Sequence, residues 1–166
     1  MELVDVIILG LVQGVTEFLP ISSTGHLVLA REFLLIDATN ALAFDAILHF
    51  ATTAAVMLYF KSDLLRLLQV AMRRLGRLPV DQRDMTLLYA LLIGTVPAVI
   101  GGLLVESFVV SYLQTATIVA AVLFCASFFF LYAEWRYSIS PPHGKITVKR
   151  GLMIGLFQML ALLPGM

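Results

Sequence analysis

The sequence predicts an all-α protein, a polytopic membrane helix bundle that opens with a re-entrant helix hairpin and forms the first part of an inverted-repeat fold. Three observations carry that reading. The 166 residues are 60% hydrophobic and 13% charged, where soluble domains are about 45–50% apolar and about 25% charged. Several apolar stretches approach the roughly 20 residues of a helical crossing and lack the alternation of barrel strands. A polar segment, "QGVTEFLPISSTGH" at 13–26, interrupts the first apolar run with a proline and two glycines.

The elements follow in order. Residues 1–38 read as a hairpin of two half-helices. A helix over 3–19 is about 25 Å long and one over 27–36 about 15 Å, with Pro20 ending the first. Neither covers a hydrocarbon core of about 30 Å. Irregular backbone at that depth is tolerated only where protein or a water-filled cavity surrounds it. A single kinked span is the alternative. Spans over 41–60, 85–105 and 112–133 come next.

The first two spans are joined by a basic loop with Lys61, Arg66, Arg73, Arg74, Arg77 and Arg83. A second basic stretch, with Arg136, Lys145, Lys149 and Arg150, follows the third span and contains the breaker run "SPPHG". The turn at 106–111 has no basic residue, and Glu106 and Ser107 are expected to cap it. The positive-inside rule places the basic segments in the cytoplasm and that turn outside. Pro97 is expected to kink its span, and Gly101 and Gly102 suggest close helix packing.

Residues 151–166 read as the start of a second re-entrant hairpin. "GLFQMLALLPGM" (155–166) repeats "GLVQGVTEFLP" (10–20) with one residue of slip. Broken helices in an inverted repeat are a transporter architecture with sites at the repeat interface. A chain ending at such a break reads as truncated, since a terminal carboxylate at membrane depth is costly.

Other classes are excluded. Zero net charge gives no footprint for nucleic acid. The single cysteine, Cys125, leaves no internal disulfide. The start, "MELVDVIILG", has acids and no basic residue, unlike a secretory signal.

The polar segment holds the candidate site. Gln13 and Glu17 lie one helical turn apart and share a face, and a carboxylate within the membrane marks a function. Ser22, Ser23, Thr24 and Gly25 lead into a half-helix whose free N–H groups suit an anion, above all phosphate. N-capping alone explains Ser22 to Thr24 but leaves Glu17 and His26 without a role. The set offers a nucleophile in Ser23 or His26, a base in His26 or Glu17, and Gln13 with Glu17 as oxygen ligands for Mg²⁺ or Ca²⁺. It is neither a Walker loop nor a nucleophile elbow. The residues alone reach an anion or phosphate site in the outer half of the bundle. Asp45 and His49, one turn apart, are expected to pair structurally.

"LGLVQGVTEFLPISSTGHLVL" resembles the N-terminal signature of the undecaprenyl-diphosphate phosphatases, the bacitracin-resistance family of bacterial inner-membrane enzymes. "AFDAILHFATTAAVMLYF" (43–60), "IGTVPAVIGGLL" (93–104) and "GLFQMLALLPG" (155–165) extend the similarity along the chain. The resemblance implies an inverted-repeat fold with two re-entrant hairpins. It also implies removal of the terminal phosphate from undecaprenyl diphosphate, which recycles the cell-wall lipid carrier.

Gln13 and Glu17 match the family's first motif, with Gln13 as its amide variant, and Ser22 to His26 match its serine–serine–threonine–glycine–histidine run. Of its second motif, which carries an arginine, only Pro164, Gly165 and Met166 are present. The chain by itself is therefore expected to be inactive. Ala51 stands where the pattern has glycine.

The resemblance implies Glu17, Ser23 and His26 as catalytic groups, with Ser23 attacking and His26 its base, His26 itself attacking, or water attacking directly. It implies Ser22, Thr24 and Gly25 as substrate contacts and a divalent cation on Gln13 and Glu17. The implied partners are a polyprenyl diphosphate lipid and the bilayer, with a homodimer left open and no nucleic acid. The implied place is the bacterial inner membrane, with the site facing the periplasmic side. A lipid-phosphate transporter or flippase is the competing function.

Overall fold

The computed structural model describes residues 2–37, 39–113, 115–140 and 144–166, without the side chains of 105–108, 110 and 111. Among them are seven α-helices and no strand: α1 (Leu3–Thr16), α2 (Ser23–Leu34), α3 (Ala41–Tyr59), α4 (Lys61–Leu75), α5 (Gln82–Phe108), α6 (Ala116–Ile139) and α7 (Val148–Leu160). Three stretches, Ala41–Tyr59, Gln82–Leu104 and Ala116–Ile139, are long and apolar enough to cross a membrane. The protein is a multi-pass membrane protein. The chain divides into two compact units, one of Met1–Ala54, Val105–Pro142 and Leu163–Met166, the other of Ala55–Leu104 and His143–Leu162.

In the first unit, α1 and α2 pack against each other as a hairpin. Their 14 and 12 residues give lengths of about 21 and 18 Å, each short of a full crossing. Glu2 and Asp5 form a capping box at the start of α1. The helix ends at Thr16, earlier than residue 19, and a connector holding Pro20 follows.

Helix α2 begins at Ser23, four residues before the expected position 27. Ser22 is its N-cap, with Oγ accepting the Gly25 N–H at 3.4 Å. Ser23 to His26 therefore form the first helical turn rather than a loop, because a serine hydroxyl satisfies an amide that would otherwise keep the chain open. The helix ends on Leu35 in the left-handed region, and the Ile36 N–H closes on the Arg31 carbonyl at 3.0 Å. In the following turn the Thr39 hydroxyl and N–H both donate to Asp37 Oδ1 and hold that carboxyl below the usual carboxylate range.

Leu9 and Leu27, fully buried, form the hairpin core with Ile36, and Val12, Ala30, Phe44 and Leu48 pack around them. Helix α6 lies against α2. Asp45 does not pair with His49. Its carboxylate takes both terminal nitrogens of Arg31, with Nη1 at 3.0 Å, because a guanidinium offers a carboxylate two parallel hydrogen bonds where an imidazole offers one.

The 106–111 turn does not open. Helix α5 continues to Phe108 and passes into a π-helical segment, Val109–Leu113. Helix α6 starts at Ala116, later than position 112, and runs on to Ile139. The Glu106 and Ser107 side chains, and most of the "SPPHG" run (141–143), lie outside the described residues. Pro97 sits inside α5, which continues through it.

In the second unit, the expected basic loop is largely helix. Along α4, Leu64, Leu68, Met72 and Leu75 recur at helical spacing and face outward, Asp63 in the first turn and Arg73 and Arg74 in the last complement the helix dipole, and Gly76 ends it. Arg66 Nε donates to Asp84 Oδ2 at 3.2 Å, which raises the guanidinium pKa further. Elsewhere in this unit α5 and α7 touch through backbone. A Cβ on Gly155 would collide with the Gly94 carbonyl oxygen, and one on Gly151 with that of Ala90.

Candidate active site

The site lies in the first unit, where the end of α1, the start of α2, the middle of α3 and the segment Leu163–Met166 meet. Gln13 is 1% exposed. Its Nε2 donates to Glu17 Oε2 at 2.9 Å and also lies 3.0 Å from His49 Nδ1 and 3.4 Å from Thr52 Oγ1. Glu17 Oε2 in turn is 3.5 Å from His49 Nδ1. The Ser23 hydroxyl, buried at the first position of α2, donates to the same Glu17 oxygen. A serine beside a carboxylate that can take its proton is an activated nucleophile.

His26 is occupied differently. Its Nδ1 donates to the Ser22 carbonyl at 2.8 Å, and since a carbonyl can only accept, Nδ1 carries the hydrogen. In the neutral form of the ring the lone pair is then on Nε2. The hydrogen-bond partner of Ser23 is thus Glu17 and not His26.

Ser22 binds the two halves of the chain together. Its backbone has φ 62°, a strained value for a residue with a side chain. Its Oγ accepts the Gly165 N–H at 2.9 Å. A Cβ on Gly25 would meet Gly165 Cα at 3.0 Å and N at 3.1 Å, so only glycine lets the Pro164–Gly165 break approach this closely. Gly165 itself has φ 99°, a region that favours glycine. Thr24 shares this turn and is half-buried.

The donor set at Gln13 and Glu17 is made of hard oxygen ligands. Gln13 Oε1 is buried without a hydrogen-bond partner, and Glu17 adds two carboxylate oxygens, the hard ligands that Mg²⁺ or Ca²⁺ takes. Among the described residues no three His, Cys, Asp or Glu side chains cluster as a protein cage. The residues fit an ion held by one carboxylate and one amide and completed by phosphate oxygens, a common arrangement for Mg²⁺.

Residues 6–166 match the family model for the bacitracin resistance protein BacA. The chain belongs to that family. It is similar to the undecaprenyl-diphosphatase of Alteromonas mediterranea, 38% identical over 165 residues, covering 99% of this chain and 61% of that protein. The undecaprenyl-diphosphatase of Myxococcus xanthus is 37% identical, with 99% and 56% covered. That of Rubrobacter xylanophilus is 39% identical, with 99% and 61% covered. The chain spans about 60% of the length of these curated relatives. No solved structure matches it.

Sequence reasoning places Gln13, Glu17, Ser22, Ser23 and Gly25 in this BacA-family site. It misses His49 and Thr52 as members and misses Arg31 as the partner of Asp45. A signal was present in α3, where Asp45, His49 and Thr52 form a polar stripe at i, i+4 and i+7 in an otherwise apolar span.

Proposed function

We propose that the protein hydrolyses undecaprenyl diphosphate to undecaprenyl phosphate and inorganic phosphate, recycling the lipid carrier for cell-wall synthesis and conferring bacitracin resistance. The observation that carries this reading is the Ser23 hydroxyl on the Glu17 carboxylate at the start of a half-helix. The name shared by the relatives supports the substrate.

The chemistry follows from that pairing. The terminal phosphate rests at the N-terminus of α2, where free amides and the helix dipole favour an anion, beside Ser22, Thr24 and Gly25. Ser23 Oγ attacks the terminal phosphorus and passes its proton to Glu17. The bond from that phosphorus to the bridging oxygen breaks, and the lipid monophosphate leaves with the bridging oxygen and its electron pair. Water then cleaves the phosphoserine and releases phosphate. His26 Nε2, with its lone pair available, is the competing nucleophile. Gln13 and Glu17 would hold a divalent ion, which supplies neutralisation of the diphosphate charge.

The protein expressed from its complete reading frame should release phosphate from undecaprenyl diphosphate in detergent. Ser23→Ala should abolish that release while leaving the thermal unfolding midpoint within a few degrees. Phosphate release by Ser23→Ala at the wild-type rate would remove Ser23 as nucleophile.

A transport reading rests on one observation, the meeting of two helix breaks at Ser22 and Gly165, since such breaks line transporter sites. Lipid phosphate crossing liposome membranes without phosphate release would favour it. The proposed place is the bacterial inner membrane with the site on the periplasmic side. The basic residues of α4 and of the segment after α6 support that orientation, which labelling of an introduced cysteine from outside the cell tests. A homodimer belongs to the same proposal, and the mass of the detergent-solubilised particle checks it.

A further inference from the structure

Gln13, Glu17 and His49 leave an imbalance of charge and hydrogen bonding. The two protons of Gln13 Nε2 face three acceptors, Glu17 Oε2, His49 Nδ1 and Thr52 Oγ1. The amide's own oxygen is buried with no donor. The nearby buried guanidinium, Arg31, is committed to Asp45. Among the described residues no lysine or arginine pairs with Glu17, so the pocket is rich in lone pairs.

We infer that His49 is a third ligand, completing with Glu17 and Gln13 a site for a divalent first-row transition ion. The distances carry this. The Gln13 amide terminus, Glu17 Oε2 and His49 Nδ1 form a triangle with edges of 2.9, 3.0 and 3.5 Å. Neighbouring ligands of an octahedral ion with bonds of about 2.1 Å lie about 3.0 Å apart, so the three atoms have the spacing of one octahedral face. Ion binding requires a half-turn of the side-chain amide, which gives up the Nε2 contacts to Glu17, His49 and Thr52 and puts Oε1 at the Gln13 corner.

The site is closed on one side and open on the other. Gln13 is buried, whereas the side chains of Glu17 and His49 are 29% and 37% exposed. An ion can enter there, and its remaining positions face outward for water or phosphate oxygens. The imidazole matters for selectivity, because a nitrogen ligand suits first-row transition ions, whose affinity rises from Mn²⁺ towards Cu²⁺, whereas Ca²⁺ prefers oxygen throughout. The inference rests on the proposed reading of Gln13 and Glu17 as the ion-holding pair.

The test uses Mn²⁺ alone, bound to detergent-purified protein from the complete reading frame and read by pulsed electron paramagnetic resonance. Wild type should show coupling of one ¹⁴N nucleus to the Mn²⁺. His49→Gln, which offers an oxygen at the same place, should lose that coupling and keep Mn²⁺ affinity within about tenfold. His49→Ala should weaken affinity by about 10–100-fold, at least as much as the loss of an outer-shell partner does. His26→Gln should leave the nitrogen coupling intact. Wild type that binds no Mn²⁺, binds it without nitrogen coupling, or loses the coupling in His26→Gln and keeps it in His49→Gln would overturn the inference. Phosphate release measured on the same preparation judges the phosphatase reading separately, because the spectrum is read without substrate.

Discussion

The α1–α2 hairpin and the α5–α7 crossing solve the same problem, close helix packing in an apolar surround, by opposite means. At the hairpin the helices are broken, and polar side chains meet at the break, with Gln13, Glu17, Ser22 and Ser23 sharing hydrogen bonds. At the crossing the helices are continuous, and Gly151 and Gly155 bring backbone against backbone. The first arrangement stores reactive groups at the cost of short helices and a strained Ser22. Among the described residues the second has no comparable polar network and relies on shape, which is how small residues serve membrane helices. A polar network and backbone packing thus fall to different units of one chain.

The sharpest break of this contrast is Glu17→Gln. It should lower phosphate release by about 10²–10⁴-fold, the usual worth of a positioned base, with little change in thermal unfolding. A loss of only a few-fold would mean that the hairpin is not where the proton goes. Next comes Arg31→Ala, which leaves the Asp45 carboxylate mostly buried and unpaired. Removing one partner of such a pair costs about 3–5 kcal/mol, seen as a lower unfolding midpoint in detergent.

Gly155→Leu probes the other region. Its side chain would collide with the Gly94 carbonyl, and overpacking of this kind costs about 1–3 kcal/mol, so the unfolding midpoint should fall. Unchanged stability would show that the crossing does not depend on shape. Ser22→Ala removes an N-cap and the acceptor for Gly165, with an expected loss of about 1 kcal/mol and a clear drop in phosphate release. Arg66→Ala should do least. Its side chain is 62% exposed, and water and salt screen exposed ion pairs so that they add little to stability.

Much of the site was legible because its signals are local. Gln13 and Glu17 fall on one face by helical spacing alone, and Pro20 keeps α1 from running on into α2 whatever surrounds it. The start of α2 was misplaced because Ser22 to Gly25 suit both a loop and a capped first turn, and the cap hydrogen bond decides between them. The loop reading of α4 failed for a related reason. Its arginines suggested a solvated connection, while Leu64, Leu68 and Met72 supply an apolar stripe that a charge count does not register. The Asp45–His49 pair was wrong because spacing identifies neighbours on one helix and is blind to Arg31, fourteen positions upstream on another.

Composition and apolar run length by themselves determined that this chain crosses a membrane as helices, since burying unpaired backbone in lipid leaves few alternatives. The local motif likewise determined that polar groups gather at a helix break near the amino terminus. Only the tertiary structure decided which base faces Ser23, which residue neutralises Asp45, and that His49 joins Gln13 and Glu17. Each of those depends on contacts between helices far apart in sequence. A hydrogen bond's partner is set by distances of a few tenths of an ångström, which packing fixes and helical periodicity does not.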